Sequence, residues 1–193
     1  MSQDLSLPTT SFALLGLLTF GDELTGYELK QRADNTLRFY WVAPAMSQIY
    51  SELARLTTHG LVEPTASDGT GRRRTTTYRI TPPGRSALSD WIAESRVGFP
   101  VLKHTVLLRL LIGHVSEPGR IAAMLEEYVA ELGVALTDLH RVRDSLRGAD
   151  GPGEAFYYPS VVADWGLDYF AAEARHTRRA LDRLALTTDS EEP

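Results

Sequence analysis

The sequence predicts a mostly helical chain in two parts: an N-terminal unit of short helices closed by a β-hairpin, and a C-terminal unit of long antiparallel helices. Helix start and stop signals divide the first 60 residues into three short segments. Two runs rich in Val, Ile, Thr and Tyr follow at 61–65 and 75–80, separated by a glycine-containing turn. From residue 121 onward, apolar residues recur at alternating steps of four and three over four heptads.

The first two predicted helices form one side of the N-terminal unit. Residues 11–20 are apolar on almost every side, which is typical of a helix buried against several neighbours. That helix ends at Gly21 and Asp22, a stop signal. Thr25 and Glu28 then have the spacing of a capping box, so a second helix is expected from there to about residue 35.

The third predicted helix begins near Pro44 and stops at Gly60. One face of it is apolar at steps of three and four residues and is expected to be buried; it consists of Met46, Ile49, Leu53 and Leu56. The opposite face is polar and carries no acidic residue; it consists of Ser47, Gln48, Ser51, Arg55 and Thr58, with Tyr50 on its flank.

The predicted hairpin carries a strongly basic segment, GTGRRRTTTYRIT, at residues 69–81. The whole chain has a formal net charge of -5, but residues 38–85 hold seven basic and three acidic residues. Arg72, Arg73 and Arg74 therefore form a local positive tip, which can attract a polyanion even though the chain is acidic on average.

The order helix, helix, helix, strand, strand is that of a winged helix-turn-helix. In this fold the outer face of the third helix enters the major groove, and the hairpin reaches the neighbouring backbone or minor groove. We therefore predict sequence-specific binding of double-stranded DNA, with Gln48 placed to pair with adenine. The predicted contacts are Tyr27, Ser47, Gln48, Tyr50, Ser51, Arg55, Arg72, Arg73, Arg74 and Thr75. For Tyr27, a phosphate contact and simple packing both remain open.

The C-terminal half reads as helices only. After a helix at 85–94 and a boundary near 98–100, we expect helices at 101–112, 118–147 and 162–186, with a loop at 148–159. The short helix cannot cover the apolar stripes of both long ones, so a second copy of the chain is expected to do so. The predicted dimerisation residues are Leu125, Tyr128, Leu132, Leu139, Phe170, Leu181 and Leu184. The alternative is that the two long helices pair with each other in an antiparallel hairpin.

These elements give a domain organisation. Residues 1–95 are expected to be a winged helix-turn-helix DNA-binding domain, residues 96–187 a helical dimerisation domain, and residues 188–193 a disordered tail. Aromatic residues cluster near the start of the last helix. Among them Tyr157, Trp165 and Tyr169 are candidates to bind a small apolar or aromatic effector, although we favour packing at a dimer interface as their role.

Three segments together resemble the PadR family of bacterial transcriptional regulators: LLGLLTFGDELTGYELKQRAD, SQIYSELARLTTHGLVE and GRRRTTTYRITPPGRSALSDWI. The resemblance covers roughly residues 12–92, and the C-terminal half is similar in pattern to the helical domain of the longer, virulence-activator-like members. It implies a homodimer, usually a repressor, whose C-terminal helices fix the distance between two wings and in some members sense a small molecule. Family members often have proline after the tyrosine of the third helix, where this chain has Ser51.

Composition and motif spacing argue against several other classes of function. The chain has no cysteine, which excludes disulfides and thiolate chemistry, and its N-terminus is not that of a secreted or membrane-inserted protein, so we expect a cytoplasmic protein without a membrane partner. The five histidines have no metal-ligand spacing, and the glycine-rich turn is not a nucleotide-binding loop. We therefore expect no enzyme, cofactor or metal. A helical protein-interaction module remains an alternative, and an enzyme needing neither metal nor nucleotide a remote one.

Overall fold

The computed structural model describes residues 7–21, 23–67, 75–100 and 102–188. The chain divides between Gly98 and Phe99 into two compact units. Among the described helices, none combines the length and the apolar character needed to cross a bilayer.

The N-terminal unit is a winged helix-turn-helix, as predicted. Its helices are α1 (Thr9–Leu18), α2 (Gly26–Thr36), α3 (Met46–Thr58) and α4 (Pro82–Glu94), and its strands are β1 (Leu24–Thr25), β2 (Val62–Ser67) and β3 (Thr75–Ile80). A 3-10 turn, Leu37–Phe39, follows α2. The predicted capping box is present at the start of α2, where Thr25 and Glu28 bond each other's backbone N–H groups.

The sheet has three strands where the sequence predicted two. Strand β1 pairs with β3 in the antiparallel order β1-β3-β2, with Leu24 opposite Tyr78 and Thr25 opposite Thr77. The hydroxyl of Thr77 in β3 also donates a hydrogen bond to the carboxylate of Glu23, the residue before β1, at 2.7 Å. This side-chain contact adds to the pairing of the two strands. A two-residue strand is too short for alternation to reveal it, yet it fixes the start of α2 to the wing strands.

The core of this unit lies between α1, α2 and α3. Leu14, Leu15 and Leu18 of α1 are sealed from solvent together with Leu29 of α2, and the predicted stripe of α3 meets them with Ile49, Leu53 and Leu56. Trp91 of α4 stacks on Phe12 with ring centroids 4.9 Å apart. Gly84 lets α4 start close to the connection between α3 and β2, because a Cβ there would lie 2.1 Å from the Leu61 carbonyl oxygen.

The C-terminal unit contains α5 (Thr105–Leu111), a 3-10 turn (Gly113–Val115), α6 (Pro118–Ser145) and α7 (Tyr157–Thr188). Helix α5 is shorter than the predicted 101–112, because the ring Nδ1 of His104 accepts the backbone N–H of Leu107 at 3.2 Å and so caps the helix there. Helix α7 starts five residues before the predicted Val162. Pro159 is tolerated in its first turn, since an N–H at that position has no intrahelical acceptor.

Helices α6 and α7 pair antiparallel within one chain, which is the arrangement that the sequence left as the alternative. Gly166 of α7 comes so close to Leu139 of α6 that a Cβ on it would lie 2.8 Å from the leucine side chain. Arg143 fastens the end of the pair, with Nε 2.7 Å from Asp164 and Nη1 2.8 Å from Asp150 in the connecting loop. The hydrogen bond from Arg143 to Asp150 lowers the pKa of that aspartate.

The seven predicted dimerisation residues are covered to different degrees within a single chain. Leu125, Leu132 and Leu139 are already buried within a single chain, and the others, Tyr128, Phe170, Leu181 and Leu184, are half-buried. Packing inside one chain accounts for the heptad stripe of α6, because each of its three leucines is at most 3% exposed without any partner copy. The role of these residues in a dimer stays a prediction.

Candidate nucleic-acid interface

The outer face of α3 is the first component of the candidate interface. Ser47, Gln48, Ser51 and Arg55 are exposed, opposite the buried Ile49, Leu53 and Leu56. The Ser51 hydroxyl donates to the Gln48 carbonyl oxygen at 2.9 Å, which leaves its oxygen lone pairs facing solvent. The amide of Gln48 stands near the N-terminal end of the helix, which is the end that contacts base edges in a helix-turn-helix.

No acid interrupts this face, because Glu52 turns into the core. Its side chain is only 5% exposed and accepts a hydrogen bond from the Ser11 hydroxyl of α1. The guanidinium of Arg55 lies 3.2 Å from the other carboxylate oxygen. The buried charge is thus paired, and Arg55 is held at the edge of the outer face with 44% of its side chain exposed. Sequence periodicity placed Glu52 to one side but gave no sign of its partners.

Two tyrosines flank the start of α2. Tyr50 of α3 lies against Gly26, and a Cβ at residue 26 would be 2.7 Å from the tyrosine ring, so only glycine admits this packing. Tyr27 is 60% exposed, and its hydroxyl accepts a hydrogen bond from Gln31 at 3.3 Å. Both phenol groups lie beside the turn of the motif, where side chains of such folds meet phosphates.

The wing completes the candidate interface, and only its strands are described. Arg72, Arg73 and Arg74 lie outside the described residues, as do Gly69 and Gly71. Thr75 is exposed at the start of β3, opposite Ser67 in the strand register. Further down the hairpin, Arg79 bonds Glu63 at 2.7 Å, and this hydrogen bond raises the pKa of the arginine. Glu63 therefore offsets part of the positive charge of Arg79 at the base of the hairpin.

The loop before α3 presents apolar surface to solvent. Tyr40 is 57% exposed and Val42 72% exposed. Neither side chain belongs to the core of the N-terminal unit.

The three candidate effector residues lie on an open face of α7. Trp165 and Tyr169 are exposed, and Tyr157 is half-buried with its ring edge-on to Tyr158. Trp165 and Tyr169 belong to a stripe that we call the α7 outer stripe, whose other members are Tyr158, Val161 and Val162. The spacing of three and four residues puts the stripe on one side of the helix, away from the face that packs on α6. Their role toward an effector stays a prediction.

A polar cluster in the C-terminal unit escaped sequence reasoning. His104 Nε2 lies 2.7 Å from Glu173 Oε1, and the Tyr128 hydroxyl lies 3.3 Å from the same nitrogen. Burial, followed by the charge of Glu173, raises the pKa of Tyr128 to about 12. The cluster joins the start of α5 to α6 and α7. Its members are 24 to 69 residues apart, so no sequence spacing connects them.

The N-terminal fold, the acid-free outer face of α3 and the arginine-rich wing sequence define a class, the winged-helix transcriptional regulators that bind DNA. Within that class, residues 14–90 belong to the family described as "Transcriptional regulator PadR-like family". Residues 14–90 therefore form a PadR-like domain, as their motifs indicated. The family consists of transcriptional regulators rather than enzymes, so the enzyme alternative no longer stands.

The chain is also similar to individual members. It is 27% identical over 142 residues to the negative transcriptional regulator PadR of Bacillus subtilis (strain 168), covering 73% of this chain and 76% of the relative. The solved structure of Bacillus subtilis PadR in complex with operator DNA matches with a TM-score of 0.80 at 20% identity, over 92% of this chain and 99% of that one.

Two further structures share the fold. Bacillus subtilis PadR in complex with p-coumaric acid matches with a TM-score of 0.73 at 21% identity, over 92% of this chain and 99% of that one. The Vibrio cholerae virulence activator AphA matches with a TM-score of 0.69 at 20% identity, over 92% of this chain and 98% of that one. The fold of the longer, virulence-activator-like members, inferred from the C-terminal pattern, is therefore confirmed.

Proposed function

We propose that this regulator is a homodimeric repressor that binds a pseudo-palindromic operator and releases it when a small molecule binds. The observation that carries the proposal is the outer face of α3. Polar side chains that suit base edges are exposed there on a helix whose opposite side is fixed in the core, and the one acid nearby is buried and paired.

In this proposal α3 reads the major groove. Gln48 donates and accepts hydrogen bonds with an adenine edge, and Ser47 and Ser51 bond to neighbouring bases or phosphates. Tyr27, Tyr50, Arg55 and Thr75 meet the sugar-phosphate backbone around the helix. Arg72, Arg73 and Arg74 of the wing neutralise phosphates or enter a narrow minor groove.

The α7 outer stripe supports the homodimer. Trp165 is 75% exposed and Tyr158 77% exposed, although aromatic side chains of this size rarely remain in water as a group. Helix α7 thus has two apolar faces, one covered by α6 and one without a cover in a single chain. A second copy placed on the outer stripe buries it, and two-fold symmetry then presents two copies of α3 to two half-sites.

The sign of regulation and the effector are proposed from the relatives. The Bacillus subtilis relative is a negative regulator, and PadR from that organism has been solved with operator DNA and with p-coumaric acid. For this chain we propose repression in the cytoplasm, where the DNA is, and relief by a small apolar or aromatic effector.

The test is selection of bound fragments from the host genome by the purified, tagged chain, followed by fluorescence anisotropy on the recovered duplex. We expect enrichment of one motif with two-fold symmetry, and binding at physiological salt. Recovery of random fragments, or of none while a protein partner is captured, would support the interaction-module alternative instead.

A further inference from the structure

A second candidate site lies inside the C-terminal unit, away from the aromatic residues considered above. A cavity of about 390 Å³ opens between α5 with its following 3-10 turn and the first three turns of α6. This volume is within the range of small-molecule sites. The turn is packed tightly on α6, because a Cβ at Gly113 would be 3.3 Å from the Ile121 side chain. The cavity is therefore framed by elements that are fixed against each other.

The lining combines an apolar body with two cations. Ile112, Ile121 and Met124 supply apolar surface, and Arg109 and Arg120 are the two cationic residues of the lining. Within the described part of the chain, neither arginine forms an ion pair, so both are available to an anionic ligand. Two cationic side chains beside apolar ones suit a ligand that carries both an anionic group and an apolar body.

The arginines come from different helices. Arg109 lies in the last turn of α5 and Arg120 in the first turn of α6. A carboxylate placed between them can accept hydrogen bonds from both guanidinium groups. The planar guanidinium of arginine presents paired N–H donors that match a carboxylate, whereas the ammonium of lysine does not. The start of α6 has no side-chain cap, so its first N–H groups add to the positive potential. Glu127 also lines the cavity, and its carboxylate repels the charged group of an anionic ligand.

We propose that this cavity binds a small organic anion, with its carboxylate held by Arg109 and Arg120 and its apolar body against Ile112, Ile121 and Met124. The binding does not depend on the proposed repressor function, since every group involved belongs to the C-terminal unit. If the proposed function also holds, such an anion is the natural candidate for the effector.

Isothermal titration calorimetry on the full-length chain tests the proposal with three probes. The probe 2-naphthoate carries both charge and apolar body, 2-naphthamide carries the body without the charge, and acetate carries the charge without the body. We expect saturable binding of 2-naphthoate with one site per chain. We expect binding at least about tenfold weaker for each of the other two, because each lacks one half of the interaction.

Variants assign the binding to the cavity. Arg109→Gln and Arg120→Gln should each weaken 2-naphthoate binding about tenfold. Arg147→Gln, which removes an exposed guanidinium about 40 Å from Arg120 along the axis of α6, should leave it unchanged. Ala123→Trp, which fills the cavity from an exposed position and keeps both arginines, should abolish binding with the circular dichroism spectrum retained.

Equal affinity for 2-naphthamide and 2-naphthoate, or unchanged binding in both arginine variants, would overturn the proposal. A DNA-binding measurement by anisotropy with and without 2-naphthoate then distinguishes anion binding in the cavity from a role of that anion as effector. Calorimetric binding with unchanged DNA affinity leaves the anion site standing and removes only its link to the operator.

Discussion

Single residues define what α3 exposes. Glu52 is the clearest case, because a carboxylate at the edge of a DNA-facing helix would repel phosphates. In this chain it is buried against Ser11 and paired with Arg55. The pairing serves two ends: it satisfies a charge that is costly to bury alone, and it limits the freedom of an arginine beside the proposed groove-facing surface.

Gln48 gives the first prediction at this scale. Gln48→Ala should cost about 1–3 kcal/mol of binding free energy on the selected operator and relax selectivity at one base position, because alanine cannot make the bidentate hydrogen bonds. Fluorescence anisotropy on the operator and on single-base variants measures both effects. Thr58→Ala, at the far end of the same helix, is the control and should cost less. An equal loss for Gln48→Ala on unrelated duplexes would show that Gln48 does not read a base.

Tyr128 gives a prediction about pH. Its pKa is about 12 in the folded chain against 10.0 for a free phenol. Between these values the folded state keeps a proton that the unfolded state releases, so the free energy of unfolding should fall as the pH rises from 10 to 12. Urea unfolding of the wild type and of Tyr128→Phe across this range tests it. The variant should lose part of the pH dependence, and an identical dependence in both proteins would contradict the assignment.

At the scale of elements, the short strand β1 and the wing decide how the helix-turn-helix is supported. Strand β1 ties the start of α2 to β3, so the wing strands and the helices form one body. The capping box beside it lowers the pKa of Glu28, chiefly through the backbone N–H of Thr25. The start of α2, against which Tyr50 packs, is therefore well fixed.

The wing itself gives the element-scale prediction. Replacing Arg72, Arg73 and Arg74 with alanine should weaken binding to every duplex and lower the slope of log K against log salt by about one unit for each phosphate that the variant no longer neutralises. Anisotropy titrations at several salt concentrations measure it. Arg85→Ala, Arg96→Ala and Arg147→Ala together remove the same charge elsewhere and serve as the control. A triple wing variant with unchanged affinity and slope would remove the wing from the interface.

At the scale of the whole molecule, the exposed stripe of α7 governs assembly. We expect Trp165→Glu to convert a dimer to monomers, because it places a charge at the centre of the proposed contact. The fold should survive, since Trp165 is 75% exposed in a single chain. Light scattering after size-exclusion chromatography measures the mass, and anisotropy should show weaker operator binding in parallel.

The control for this variant is Arg175→Glu, which puts the same carboxylate on another exposed side of α7. It should remain dimeric. A Trp165→Glu protein that keeps the mass of a dimer would move the interface away from the outer stripe.

The sequence by itself determined the order of the elements, the buried and exposed faces of α3, the capping box of α2 and the family. These features depend on neighbours three or four residues apart or on local motifs, and local spacing is visible in a sequence. Only the tertiary structure decided that Glu52 is paired with Ser11, that β1 joins the sheet, and that α6 and α7 cover each other and leave the outer stripe free. Each of these depends on groups far apart in the chain, and periodicity shows that a face is apolar without showing which surface covers it.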